Sequence, residues 1–291
     1  MNGPNPAATQ RYGHLDFDPE TVPVSPAATV MLVDDRPPID GGEPELHVLM
    51  VERTARVVFA PSAWVFPGGR VDPDDHSQEF NELCEGLTDA EASSILEMSH
   101  GGLAWWLAAC RETLEEAGLL LAAHQVDIDV EAMREAVRKD EGIFVDLLLQ
   151  HGITIDATAI EEVARFITPV GSPRRFDARF FVARAPLDQE PHHDDGEIVS
   201  WEWVKPAEAL DRWRAGSFEM ISPTVRMVDC LTRYQSADAV MTAARRRAPY
   251  QRVRVIDPAG QYRVVLPGEA GYDEAELEVE SGWVRLWETN R

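Results

Sequence analysis

The sequence predicts an α/β fold in which helices cover a mixed sheet. Runs rich in valine and leucine, each of strand length, recur along the chain, and amphipathic stretches of helix length separate them. The length of 291 residues gives room for one enlarged domain or for a domain with substantial additions.

The elements follow in order. Residues 1–25 carry many Pro, Gly and Asn residues without apolar periodicity and are expected as a flexible arm. AATVMLVDD (Ala27 to Asp35) and LHVLMVER (Leu46 to Arg53) read as strands joined by the Pro- and Gly-containing RPPIDGGEPE, and as neighbours in the sheet. AWVF (Ala63 to Phe66) is a third strand, halted at Pro67-Gly68-Gly69, where glycine admits backbone geometry closed to other residues. From Asp72 to Gly102 the chain turns acidic, and the capping box Thr88 to Glu91 opens a short helix there. Leu103 to Ala117 is the next helix, closed by Gly118. Asp129 caps a helix to about Lys139, and Ile143 to Gln150 forms another before Gly152.

ARFITPV (Ala164 to Val170), DARFFVARA (Asp177 to Ala185) and EIVSWEWV (Glu197 to Val204) are three further strands. Pro206 starts a helix that ends before Gly216, and Ser222-Pro223 opens one running to about Tyr234. QRVRVID and QYRVVLP flank Asp257-Pro-Ala-Gly260 as a hairpin. The expected division is an arm over 1–25, a main domain over 26–235 with an insertion at about 73–102, and an extension over 236–291 packed on the core.

Acidic residues outnumber basic ones 51 to 27, for a net charge of -24, which argues against nucleic acid and anionic membrane as partners. A carboxylate cluster that holds a divalent cation still attracts phosphate, because the ion reverses the local field. Cys84, Cys110 and Cys230 are scattered and without CxxC spacing, so neither a disulfide framework nor a zinc site is expected. The opening MNGPNPAATQRYG lacks the basic start and apolar stretch of a secretory signal, and ETNR matches no retention or peroxisomal tail. A cytoplasmic location is the expectation.

The chemistry concentrates in RETLEEAG. Glu112, Glu115 and Glu116 are spaced i, i+3, i+4 and share one helix face, with Leu103, Leu107, Cys110, Leu114 and Ala117 opposite. Ala108 and Ala109 on the polar side are expected to leave room for an approaching group. Such a face is most often solvated surface. The Pro-Gly-Gly turn upstream adds unobstructed backbone carbonyls, and hard cations such as Mg²⁺ favour carboxylates, a carbonyl and several waters.

These residues resemble the Nudix hydrolase family. Arg111 to Leu119, RETLEEAGL, matches the second half of the family's box, and Phe66 to Val71, FPGGRV, matches the first, with Gly69 as its opening glycine. Gly69 and Arg111 are 42 positions apart against about 14 in the pattern, so about 28 residues are inserted. Counted back from Arg111, the box's middle glutamate falls on Leu103 and is missing. A box interrupted in this way is similar to the branch related to peroxisomal coenzyme A diphosphatases of animals. FPGGRVD (Phe66 to Asp72), FITPVGSPRRFDARFFVA (Phe166 to Ala183) and VLPGE (Val265 to Glu269) agree with that branch. A coenzyme A signature is partly kept: Leu49, Arg53 and Thr54 fit it, while Val58 and Ser62 replace an expected Arg and Gly.

The resemblance implies a Nudix-type α/β/α sandwich around a mixed sheet, with a helical insertion inside the box and a C-terminal hairpin extension. It also implies attack of water on a phosphorus of a nucleoside diphosphate linked to another group. Glu112, Glu115, Glu116 and the Gly68 carbonyl are then the ligands of Mg²⁺ or Mn²⁺, which neutralises the pyrophosphate and acidifies water. Glu115, Glu116 and Arg111 form the catalytic set, with Arg111 orienting the glutamates through ion pairs. Glu115, Glu116 or Glu197 takes the proton from the attacking water.

Arg53 and the pair Arg174-Arg175, above all Arg53 and Arg175, are the expected substrate-binding cations, since guanidinium groups fork onto phosphate oxygens. Surface pairing with Glu52 or Asp177 is an equally weighted alternative. HHDDGE (His192 to Glu197) reads as a solvated loop, and Trp105, Trp106, Trp201 and Trp203 as core or interface residues. The expected partner is a small nucleotide conjugate, coenzyme A or acyl-coenzyme A first. ADP-ribose or NADH on the same metal site is the alternative, and a non-catalytic nucleotide-binding module the second. A role for the insertion in capping the pocket or in building a homodimer is left open.

Overall fold

The computed structural model describes residues 18–38, 41–56, 60–193, 196–256, 263–275 and 281–287. Most of the expected arm, Val58, Asp194, Asp195 and the hairpin turn Asp257 to Gly260 lie outside the described residues.

The strands are β1 (Val24–Arg36), β2 (Glu45–Arg53), β3 (Trp64–Val65), β4 (Gly68–Arg70), β5 (Cys84–Glu85), β6 (Ile155–Asp156), β7 (Ile160–Ile167), β8 (Arg175–Arg184), β9 (Ile198–Val204), β10 (Gln251–Arg252), β11 (Arg254–Ile256), β12 (Arg263–Val265) and β13 (Ser281–Val284). The helices are α1 (Phe80–Leu83), α2 (Asp89–Ile95), α3 (Leu103–Ala117), α4 (Val130–Lys139), α5 (Phe144–His151), α6 (Pro206–Arg214), α7 (Ser222–Leu231) and α8 (Ala237–Arg245).

Among the described residues the main sheet has nine strands, ordered β10-β13-β7-β8-β1-β2-β3, with β4 on β1 and β9 on β2. It is mixed, because β1 and β8 run parallel while β1 and β2 are antiparallel. Period-two alternation along β1 sends Ala28, Val30 and Leu32 to the face covered by α3. Met31 and Val33 go to the face covered by α6, α7 and α8. The sheet therefore has a core on each side, as the α/β expectation requires. No helix among the described residues is long and apolar enough to cross a membrane.

The place where β1 and β2 part company builds the site. They pair only from Val33 to Arg36 against Glu45 to Val48. Below that point β1 pairs instead with β4, with Ala28 opposite Gly69 and Thr29 opposite Gly68. The expected strand over 63–66 shortens to β3, and the Pro-Gly-Gly stretch expected to halt it opens a second short strand, β4. Pro67 between them has no N–H to give a ladder, and its carbonyl accepts from the Val30 amide at 2.8 Å. A Cβ on Gly68 would lie 2.4 Å from the Ala28 carbonyl oxygen and 2.6 Å from Thr29 Cα, so only glycine lets β4 seat against β1.

Several elements depart from expectation, among them β7, which runs Ile160–Ile167 rather than Ala164 to Val170. β1 begins at Val24, inside the presumed arm. The helix α8 is added after Ser236, whose side chain accepts from the Ala239 amide, and its buried residues Ala237, Val240, Met241 and Ala244 pack on the sheet. Beyond the hairpin of β11 and β12, β13 joins the main sheet beside β7.

A buried polar network ties this tail to the insertion. Arg285 and Arg179 donate to the carbonyls of Ile95 and Leu96 at 3.2 and 2.7 Å. The Tyr250 hydroxyl donates to Glu162 Oε1 at 2.5 Å. Glu162 is fully buried, and its ion pairs to Arg285 and Arg179 are long, at 3.4 and 3.8 Å. Glu162 Oε2 has no hydrogen-bond partner. Burial therefore outweighs Tyr250, Arg285 and Arg179 and pushes the carboxyl up to about 7 from an ordinary 4.5. The fold thus favours the protonated acid, a contribution fully present below about 4.5 and lost as pH rises through about 7. Glu162→Gln is expected to flatten that part of the pH dependence of the melting temperature, measured by calorimetry across this window. An unchanged slope would show that Glu162 stays charged.

Candidate active site

The helix α3 owes its start to the insertion. Asp89 of α2 accepts from the amides of Gly101 and Leu103 at 2.9 and 3.1 Å. Ser93 Oγ accepts from the Gly102 amide at 2.9 Å. Its C-terminus closes on Gly118 at φ 67°, with the Gly118 amide on the Leu114 carbonyl. No residue from 73 to 111 lines the cleft, so the insertion buttresses the helix from behind and does not cap the pocket. Ala108 and Ala109, expected to leave room for a ligand, are wholly buried in the core.

The three glutamates do share one face, and that face floors a cleft of about 890 Å³. A Cβ on Gly69 would lie 2.3 Å from Glu112 Oε1, so the second glycine of the turn makes space for a carboxylate. The Gly68 amide donates to Glu116 Oε2 at 2.9 Å. The Pro-Gly-Gly turn and the glutamate helix, far apart in sequence, are one unit in space.

Arg111 organises the face from beneath. Only 2% of its side chain is exposed. Its Nη1 donates to Glu112 Oε1 at 3.0 Å and to Glu115 Oε1 at 2.8 Å. Its Nη2 also donates to the Arg70 carbonyl at 2.9 Å. The other edge of the guanidinium forks onto Asp75, with Nε to Oδ1 at 3.0 Å and Nη2 to Oδ2 at 2.9 Å. Burial alone would lower the guanidinium's pKa, but Asp75, Glu112 and Glu115 together raise it. Arg111 is buried beneath the face and does not line the cleft.

Asp75 takes the place of the acidic residue expected at Leu103 and missing there. Counted forward from Gly69 rather than back from Arg111, the middle acid of the box falls on Asp75. The insertion, expected from about residue 73, therefore starts after Asp75 and enters between the two partners of the ion pair.

The carboxylates are short of positive charge. Glu112 is raised well above the ordinary range by burial, with Glu116 and Glu115 adding repulsion against Arg111. Burial pushes Glu116 up to about 7 despite Arg53 and the Gly68 amide. Glu115 is raised by burial against Arg111. No three His, Cys, Asp or Glu side chains among the described residues converge on a single point, because Glu115 faces Arg111 and Glu116 faces Gly68. The donor set is all oxygen, crowded and underneutralised, which fits a hard divalent cation.

The expected substrate cations separate. Arg53 lines the cleft but is engaged by Glu197, and by Glu116 at 3.6 Å. Arg175 is not a cleft residue, since its Nε donates to the Thr168 carbonyl at 3.1 Å. Asp177 pairs with Arg165 at 2.5 Å instead. The neighbouring Arg174 does line the cleft, as do Arg56 and Arg70, neither of them among the expected cations. Glu197 lines it too. Trp106 is buried, donating to the Ala157 and Ile160 carbonyls, and no tryptophan reaches the cleft.

A crowded glutamate helix, a Gly-Gly strand and a buttressing Arg-Asp pair on a two-cored mixed sheet define a Nudix-type hydrolase, and similarity agrees. A family model described as the NUDT19 Nudix domain matches residues 25–230. The chain is 26% identical over 306 residues to the acyl-coenzyme A diphosphatase NUDT19 of Gallus gallus, covering 85% of this chain and 79% of that one. To the protein of that name in Homo sapiens it is 25% identical, covering 69% and 63%. A putative nudix hydrolase 7 of Caenorhabditis elegans is 29% identical, covering 66% and 58%. Among solved structures, a NUDIX hydrolase from Alicyclobacillus acidocaldarius superposes with a TM-score of 0.64 at 25% identity, covering 76% of this chain and 97% of that one. The chain belongs to the NUDT19 Nudix domain family of hydrolases.

Two pairs of variants test the geometry. Asp75→Asn leaves a buried guanidinium undercompensated and is expected to cost roughly 3 kcal/mol. Asp72→Asn, whose side chain is 33% exposed, is expected to cost under about 1 kcal/mol by denaturant titration. Gly69→Ala is expected to keep the melting temperature within a few degrees while weakening divalent-cation binding, because its Cβ meets only the mobile end of Glu112. Gly68→Ala meets backbone and is expected to unfold at lower temperature.

Proposed function

We propose that the chain hydrolyses the pyrophosphate of coenzyme A or acyl-coenzyme A, giving adenosine 3',5'-bisphosphate and 4'-phosphopantetheine or its acyl form. The observation that carries the reading is the floor of the cleft, where Glu112, Glu115 and Glu116 crowd beside Gly68 and Gly69 beneath a rim of arginines. The family supports the reaction type, and the names of the avian and human relatives support the substrate.

Glu112, Glu115, Glu116 and the Gly68 carbonyl would hold Mg²⁺ or Mn²⁺. Bound there, such a cation supplies charge against the repelling pyrophosphate oxygens and acidifies water. Arg111 holds Glu112 and Glu115 on the cleft face, and Asp75 fixes Arg111. The Gly68 amide and Arg53 orient Glu116, while Arg53 also holds Glu197. Glu115, Glu116 and Glu197 are the carboxylates placed to accept the proton of the attacking water. The apolar wall of Ile167, Pro169, Phe176, Ile221 and Pro223 covers the uncharged parts of the substrate and limits water.

Purified protein with Mg²⁺ or Mn²⁺ is expected to cleave coenzyme A and acyl-coenzyme A faster than ADP-ribose or NADH, with products identified by mass. A preference for ADP-ribose would move the substrate, and binding without turnover of any pyrophosphate would make the chain a nucleotide-binding module. Glu115→Gln and Glu116→Gln are each expected to lower kcat by about a hundredfold or more, with unchanged circular dichroism. A fully active double variant would remove the glutamates from the mechanism.

A further inference from the structure

The glutamate helix α3 does not cap itself. Its N-cap is Gly102, which has no side chain to offer, and the acceptors for the amides of Gly101, Gly102 and Leu103 are Asp89 and Ser93 of α2. The contact is also backbone on backbone. A Cβ on Gly102 would lie 2.3 Å from the Ser93 amide nitrogen and 2.5 Å from the Ala92 carbonyl carbon. Gly102 has an ordinary helical φ of -63°, so the lack of space, not the dihedral, demands glycine. The start of α3 is therefore seated on α2 and goes where α2 goes.

What holds α2 comes from distant parts of the chain. The carbonyls of Ile95 and Leu96, at the end of the helix where such groups run out of helical partners, accept from Arg285 at 3.2 Å and Arg179 at 2.7 Å. Neither arginine lines the cleft. Arg179 on β8 is opposite Ala28 of β1, and Ala28 is opposite Gly69 of β4, so Arg179 is fixed in the row of the sheet that carries the glycine turn. Arg285 follows β13; its amide donates to the Val163 carbonyl at 2.8 Å and its guanidinium lies 3.9 Å from the centre of the Tyr250 ring. Contacts thus run from β13 through Arg285 to α2, and through Asp89 and Ser93 to α3.

The other supports of α3 grip its last two turns. Arg111 donates to the Arg70 carbonyl, Arg134 Nε to the Glu115 carbonyl at 2.9 Å, and the His192 amide to the Ala117 carbonyl at 2.9 Å. A rod gripped near one end still tilts, and the grip that stops it is the one at Leu103. Glu112 lies nine residues further on, roughly 14 Å at 1.5 Å per residue, and a stiff helix carries a displacement over that length.

We propose that Arg179 and Arg285 are positioning residues for the hydrolysis: by holding the end of α2 they set where α3 presents Glu112, Glu115 and Glu116, so the C-terminal segment takes part in catalysis without reaching the cleft. The proposal rests on the reading of that face as the hydrolytic site.

Arg285→Met alone strands the buried charge of Glu162, so the test variant is Glu162→Gln/Arg285→Met, with Arg285→Lys as the conservative control. Hydrogen exchange read by mass spectrometry is expected to show lost protection over residues 101–107 in the test variant, while β1 and β8 stay protected as in wild type. With Mg²⁺ and coenzyme A, kcat is expected to fall by about tenfold or more, because small displacements of catalytic groups are costly, while KM stays within about twofold. Arg285→Lys is expected to keep both protection and kcat near wild type. Asp89→Ala should give the same losses, and adding it to the test variant should cost little more, since both break one route. Protection kept over 101–107, protection lost with kcat unchanged, or additive losses in the combined variant would each overturn the proposal. If wild type cleaves no pyrophosphate, the substrate reading fails and exchange still decides: lost protection upholds the route from Arg285 to α3, and kept protection overturns it.

Discussion

Everything at the floor of the cleft depends on one buried cation. Arg111 has almost no contact with solvent, and carboxylates flank its guanidinium on both edges, Asp75 on one and Glu112 and Glu115 on the other. A desolvated charge of this kind is costly unless its geometry is good and its donors are used. Here Nε, Nη1 and Nη2 all donate, and the Arg70 carbonyl accepts one of the bonds. The helix face therefore cannot turn independently of the Pro-Gly-Gly strand, since one guanidinium holds both.

The same logic explains why the electrostatics look unfavourable at the floor and favourable at the rim. Glu112, Glu115 and Glu116 are all raised by burial. A fold that wanted only stability would not place three acids there. Above them, Arg53, Arg56, Arg70 and Arg174 line the same cleft. An acidic floor beside these guanidinium groups suits a ligand that arrives with both cation and anion.

Much of this was legible in the residues themselves. The amphipathic α3, its Gly118 stop and its i, i+3, i+4 glutamates are local properties, and local periodicity reports them faithfully. The pairing of β1 with β2 followed from two apolar runs and a turn. Ser236 with apolar residues at Ala237, Val240, Met241 and Ala244 was an equally plain helix signal, so α8 was within reach of the same rule. Other features are properties of space. That Ala108 and Ala109 are core depends on how far the helix sinks into the sheet. That Arg174 rather than Arg175 reaches the cleft depends on strand alternation at the start of β8, where Arg175 spends its Nε on Thr168. That β13 completes the sheet beside β7 depends on a pairing more than a hundred residues away in sequence.

The break in the box carries a lesson about what such a motif is made of. Asp75 and Arg111 are separated by 36 positions where the uninterrupted pattern separates them by about eight. Polymer statistics make that lengthening cheap, roughly 1.3 kcal/mol for a little over two doublings of loop length, less than the bidentate pair contributes by not leaving a charge stranded. The interruption is tolerable because its two ends are held by contact rather than by the chain between them, and Asp89 and Ser93 reattach the restart of the helix on the far side. A catalytic signature of this sort is a set of distances, and the peptide is free to take a detour between any two of its points that already recognise each other.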